Sequence, residues 1–83
     1  MTAQIAKDRL ITNWWENNNL SINPDDYNIK INNVLRETDS KDYFPNSFII
    51  STVVSKKDGS ESEQIRFAVS KIDGSCRPAI YLS

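Results

Sequence analysis

The chain predicts an α+β domain: an N-terminal helix, with a second over 24–37, packed on one face of a three-stranded antiparallel meander. Three observations point there. Apolar residues recur at spacings of three and four between Thr2 and Asn18. In the last third, Asp58-Gly59 and Asp73-Gly74 each stand between runs rich in Val, Ile, Phe and Tyr, a strong hairpin signal. The whole, 83 residues with 39% hydrophobic and 25% charged content, is sized for one small globular domain over 1–83 and is too apolar for disorder. At this length about 60–65% of the unfolded surface is buried, so the core is shallow.

In the first helix, Ala3, Ala6, Leu10, Ile11 and Trp14 carry the pattern. At about 100° per residue, Leu10, Ala3, Trp14 and Ile11 share one stripe, with Trp15 at its edge and Ile5 almost opposite. The run Asn17-Asn18-Asn19 is expected to end the helix, because Asn is a weak helix former and tolerates left-handed backbone.

The segment 23–38 reads in two ways. Asn23-Pro24-Asp25-Asp26 is a helix start: a side-chain cap, proline at the first helical position, then carboxylates in the positive first turn. Tyr27, Ile31, Val34 and Leu35 follow with helical spacing. Against this, Tyr27, Ile29 and Ile31 alternate, and a strand accommodates every apolar residue here except Val34. The main reading is the helix, because the start signal has a mechanism. The alternative is one helix on a four-stranded antiparallel sheet, which resembles a cystatin in outline, by architecture alone and with no sequence motif behind the likeness.

Strands are expected over 48–57, 63–72 and 78–82, after a loop over 38–47 that holds Tyr43-Phe44. Folding of that pair back over the core is the expected arrangement. If each Asp-Gly is the centre of a type I′ turn, two registers follow. The first pairs Phe48 with Val69, Ile50 with Phe67 and Thr52 with Ile65; the second pairs Val69 with Pro78, Phe67 with Ile80 and Ile65 with Leu82. They agree on one apolar face, and a one-residue slip would turn that set outward. The opposite face then holds Ile49, Ala68, Ala79, Ser51, Arg66, Tyr81, Val53, Gln64 and Ser83. For a solvated face it is short of charge.

Composition argues against chemistry. Histidine is absent and there is one cysteine, which removes the commonest general base and any Cys-rich metal site. Cys76, beside Arg77, reads as an incidental thiol at a strand edge. Glu37, Asp39 and Asp42 match no calcium-loop spacing and read as a solvated acidic loop. Both glycines belong to the hairpins, leaving none for a phosphate-binding loop. No enzyme activity, cofactor or metal is therefore expected.

Formal net charge is -1, which supplies no long-range field for nucleic acid or an anionic membrane. The N-terminal Met-Thr-Ala-Gln-Ile-Ala-Lys-Asp-Arg lacks the basic start and apolar run of a signal peptide, and no stretch is long and apolar enough to span a bilayer. A lone cysteine suits a reducing compartment, so the cytoplasm is expected. Abundant Asn, Ile, Ser and Lys suit a bacterial or phage source.

The expected function is protein–protein binding by a small non-enzymatic protein: an inhibitor, an immunity-type antagonist, an adaptor or a phage-encoded host modulator. The expected surface is the outer sheet face, with Ile49, Val53, Arg66 and Tyr81, joined by Trp15 if it serves as a partner-facing anchor rather than a rim residue. A homodimer, through that face or through an open edge at 48–57, is compatible with this reading. The alternative is weak nucleic-acid binding by the same face, with Lys30, Arg36, Arg66 and Arg77 as a basic stripe and Tyr81 for stacking.

Overall fold

The computed structural model describes residues 1–15 and 23–79. The run Asn17 to Asn19 and the register partners Ile80, Tyr81, Leu82 and Ser83 lie outside the described residues, and the first helix ends before that run, at Asn13 with Trp14 as its C-cap. Helix α1 (Ala3–Asn13) is followed by a 3-10 turn (Pro24–Asp26) and strands β1 (Tyr27–Glu37), β2 (Ser47–Lys56), β3 (Ser62–Ser70) and β4 (Cys76–Pro78). The strands form one antiparallel sheet in the order β1-β2-β3-β4. One helix on a four-stranded open sheet is the alternative architecture, and the second helix over 24–37 is not formed.

The physical reason lies in β1. The helix-start signal is real but lasts one turn: the Asn23 side chain accepts from Asp25 N at 3.1 Å, and Asp26 N donates to the Asn23 carbonyl at 3.0 Å. The β-branched Ile29, Ile31 and Val34 then favour the pleated conformation. The mismatch at Val34 is resolved by a bulge. Ile31 pairs with Thr52 and Asn33 with Ser51, so Asn32 is the extra residue and Val34 returns to the face of Tyr27, Ile29 and Ile31. A second bulge between Val34 and Arg36 leaves Leu35 exposed.

Between β2 and β3 the expected register holds, with Phe48 opposite Val69, Ile50 opposite Phe67 and Thr52 opposite Ile65. The turn is not the expected one. Among the described residues Asn46 is the only non-glycine at positive φ, so neither Asp58 nor Asp73 adopts the left-handed backbone that a type I′ turn requires. Instead Gly59, at φ 78°, donates to the Lys56 carbonyl at 2.9 Å, and Lys56 N donates to the Glu61 carbonyl at 2.8 Å.

The second hairpin shifts by two residues relative to expectation, pairing Val69 with Cys76 and Phe67 with Pro78. Its loop spans residues 71–74: Gly74 N donates to the Ser70 carbonyl at 3.0 Å, and Ser70 N to the Ser75 carbonyl at 2.9 Å. One left-handed glycine closes this loop, and Asp73 serves by accepting from Ser75 N at 2.9 Å. A shift of two preserves alternation, so the buried set stays buried.

Helix α1 lies across the inner face. Thr2 caps it, accepting from Ile5 N at 3.2 Å. Ala6, Leu10 and Trp14 pack with Phe48, Ile50, Val54, Ile65, Phe67, Val69 and Cys76, and Tyr27, Ile29, Ile31 and Val34 close the β1 side. Trp14 meets Phe67 edge-on, with ring centroids 6.4 Å apart. The expected stripe needs one correction: Ile11 is 51% exposed, and Ala6 takes its place in the core. Buried Thr52 is satisfied by donating to the Ile65 carbonyl at 2.8 Å. Cys76 is a buried core side chain, while Arg77 points to the opposite face by alternation.

Two expectations follow for urea denaturation. Phe67→Ala should cost about 3–5 kcal/mol, and exposed Gln64→Ala should stay within about 0.5 kcal/mol. Gly74→Ala should cost more than Gly59→Ala, because a Cβ at 74 would lie 3.0 Å from Arg9 Nε, which donates to the Gly74 carbonyl, whereas position 59 is open.

Candidate partner-binding surface

Residues directly opposite in the ladders share a face, so the outer side can be read row by row. Lys30, Val53 and Gln64 form one row; Asn33, Ser51 and Arg66 form the next; Arg36, Ile49, Ala68 and Arg77 form a third. The carboxylates within the strands, Glu37 and Glu63, pair with Phe48 and Val54 and so belong to the helix side. All four cations expected to form a stripe therefore lie on one face, and among the described residues no strand places a carboxylate there.

The site residues expected from sequence do not form one patch. Ile49 is buried, 2% exposed, in a small cluster with Phe44, Ala68 and Ala79, and is withdrawn from the surface. Val53 is half-buried and Arg66 exposed, both on the outer face. Tyr81 lies outside the described residues. Trp15 is exposed after the end of α1, on the other side of the sheet, with its ring edge-on to Trp14 at 6.2 Å. The edge at 48–57 is not open, because β1 pairs along it. The sheet ends instead at β1, whose two bulges and outward Lys and Asn side chains blunt it.

Sequence reasoning missed the end of the sheet where the β1–β2 loop (residues 38–46) meets the β3–β4 loop (residues 71–74). Thr38, buried, is the hub of the first loop: its N donates to the Ser47 carbonyl at 2.7 Å, and its hydroxyl accepts from Ser47 N at 2.8 Å and donates to the Phe44 carbonyl. The Asp39 carbonyl accepts from Asn46 N at 2.9 Å, and its carboxylate from Lys41 N at 2.8 Å. These bonds seat Phe44 over Ile49 and Ala68, leaving adjacent Tyr43 72% exposed. Of the expected Tyr43-Phe44 lid only Phe44 closes, and it closes the outer cluster.

The second loop is fastened to the first, with Lys71 N donating to the Asn46 carbonyl at 2.7 Å and Lys71 Nζ pairing with Glu37 at 3.3 Å. It is also fastened to α1 through Arg9, whose Nε donates to the Gly74 carbonyl at 3.2 Å. At its apex Ile72 is 79% exposed. Between the loops lies a recess of about 100 Å³ with Phe44, Pro45 and Ala68 as its apolar lining and Ser70, Asp73 and Arg77 among its polar walls. The missed signal was Thr38, whose side chain satisfies a loop nine residues long.

The acidic loop is accounted for residue by residue. Asp42 pairs with Arg36 at 2.7 and 3.4 Å, and this hydrogen bond holds the Asp42 carboxyl below its ordinary range and raises Arg36. Asp58 and Asp73 are also lowered, by the hydrogen bonds of Ser60 and Ser75 across their turns. Comparison with family models, curated proteins and solved structures finds no match.

Thr38→Val should cost about 1–3 kcal/mol and speed amide exchange at Ser47, which loses its acceptor; Thr38→Ser should retain most of the protection. The lowered carboxyls set a pH dependence. Because their folded pKa values lie below the unfolded ones, their stabilisation is complete above the ordinary carboxylate value of 3.8 and is lost as pH falls through the lowered values. The thermal midpoint should therefore fall as pH drops below about 4, with a shallower fall in Asp42→Asn.

Proposed function

We propose that this chain is a small non-enzymatic protein that acts by binding another protein, through the paired loops at the end of the sheet and the outer face beside them. One observation carries the reading. Tyr43 and Ile72, the most exposed large apolar side chains among the described residues, stand on two loops that are fastened to each other and to the body. Apolar side chains held on ordered backbone lose little freedom on docking, so their contact area is available for affinity. Inhibitor, immunity-type antagonist, adaptor and host modulator of phage origin are roles that this surface suits. The single cysteine of the chain, buried Cys76, supports work in a reducing compartment such as the cytoplasm.

A second reading, nucleic-acid binding, is favoured by the gathering of Lys30, Arg36, Arg66 and Arg77 on the outer face. Salt separates the two, since phosphate contacts lose affinity steeply with salt and an apolar docking surface does not.

The test is affinity purification of tagged protein from its native host, with mass spectrometry, beside Tyr43→Ala/Ile72→Ala. A protein retained by the wild type should be lost from the double variant, whose circular dichroism is unchanged. Undiminished retention by the folded variant, or capture of no protein at all, overturns the assignment.

A further inference from the structure

We propose that the outer face of the sheet receives an acidic, extended segment of the partner, with its carboxylates on Arg77, Arg66 and Lys30. This rests on the protein-binding reading and adds the chemistry of what is bound. Net charge hides the feature, because alternation sorts the charges: the strands carry Lys30 and all three of their arginines to the outer side, and both of their carboxylates, with Lys56, to the helix side. Arg36 is engaged by Asp42 at 2.7 Å. Lys30 and Arg77 are exposed and, among the described residues, enter no ion pair.

The spacing fits an extended chain. Arg77 pairs with Ala68, so Arg66 is its diagonal neighbour, about 7–8 Å away across the ladder. Alternate side chains of an extended segment lie about 6.8 Å apart on one side, close to that interval. Arg36 and Arg77 close the row at its two ends, about 14 Å apart over three strand gaps. Between the cations, Asn33, Gln64 and Ser62 offer hydrogen bonds to a polar backbone.

Charge alone would admit a nucleic acid, but one detail favours protein. Among the described residues the strands place no aromatic side chain on this face, since Tyr27, Phe48 and Phe67 all face α1, so unpaired bases have no described strand side chain to stack on.

Fluorescence anisotropy decides between them, using a labelled Glu-Ser repeat peptide and a labelled oligothymidine of matched charge. The wild type should bind the peptide more tightly than the oligonucleotide. Lys30→Glu/Arg77→Glu should weaken peptide binding about tenfold or more, while Lys7→Glu/Lys56→Glu, an equal change in net charge on the helix side of the sheet, should leave it within about twofold. Tyr43→Ala/Ile72→Ala should bind the peptide as the wild type does, so failure here is distinct from failure of the loop-end assignment. No peptide binding by the wild type, equal loss in the two charge-reversed variants, or tighter binding of the oligonucleotide overturns the proposal.

Discussion

Strand β2 is buried on both faces, and the rest of the structure is arranged to permit that. Six consecutive residues, Ser47 to Thr52, are buried, a pattern foreign to a strand with one wet side. Phe48, Ile50 and Thr52 face α1, while Ile49 and Ser51 face the other way. A single helix covers the first side. On the second, Phe44 is brought over Ile49 by the loop that Thr38 holds. That loop is thus a small second layer, and the hydrogen bonds that close the outer cluster are the same ones that hold Tyr43 out into solvent. Packing and candidate surface share one cause.

The sheet was largely legible in the sequence, because alternation over several residues is a strong signal. The β2–β3 register followed from Asp58-Gly59 although the turn itself differs, since the pairing depends on where the loop is centred, and the observed loop over 57–60 keeps its centre at Asp58-Gly59. The helix over 24–37 failed because Asn23 and Pro24 describe only the next few residues, and a bulge at Asn32 disguised a strand as a broken alternation. Bulges leave little trace in a single sequence. The burial of Ile49 was illegible for another reason: it depends on Phe44, whose placement comes from contacts between loops and not from a periodic pattern.

Charge shows the same division between what composition states and what topology decides. A near-neutral total argues correctly against a long-range field. It says nothing about local sorting, which strand alternation performs here by directing arginines and carboxylates to opposite sides. The acidic loop, which resembled a loose cluster, instead supplies a pairing partner for Arg36 and caps for its own turns.

The two bulges of β1 give that strand the character of a reading frame. Each inserts one residue, and each alone would exchange inside for outside along the rest of the strand. Together they sum to an even number, so Tyr27 and Glu37 leave the sheet on the same side although the strand between them is out of phase. The loop at 71–74 obeys the same arithmetic, having absorbed two residues without altering which side chains are buried. Length changes in this fold are therefore silent in pairs and disruptive singly, in the way that a codon's worth of bases can be added to a message where one base cannot.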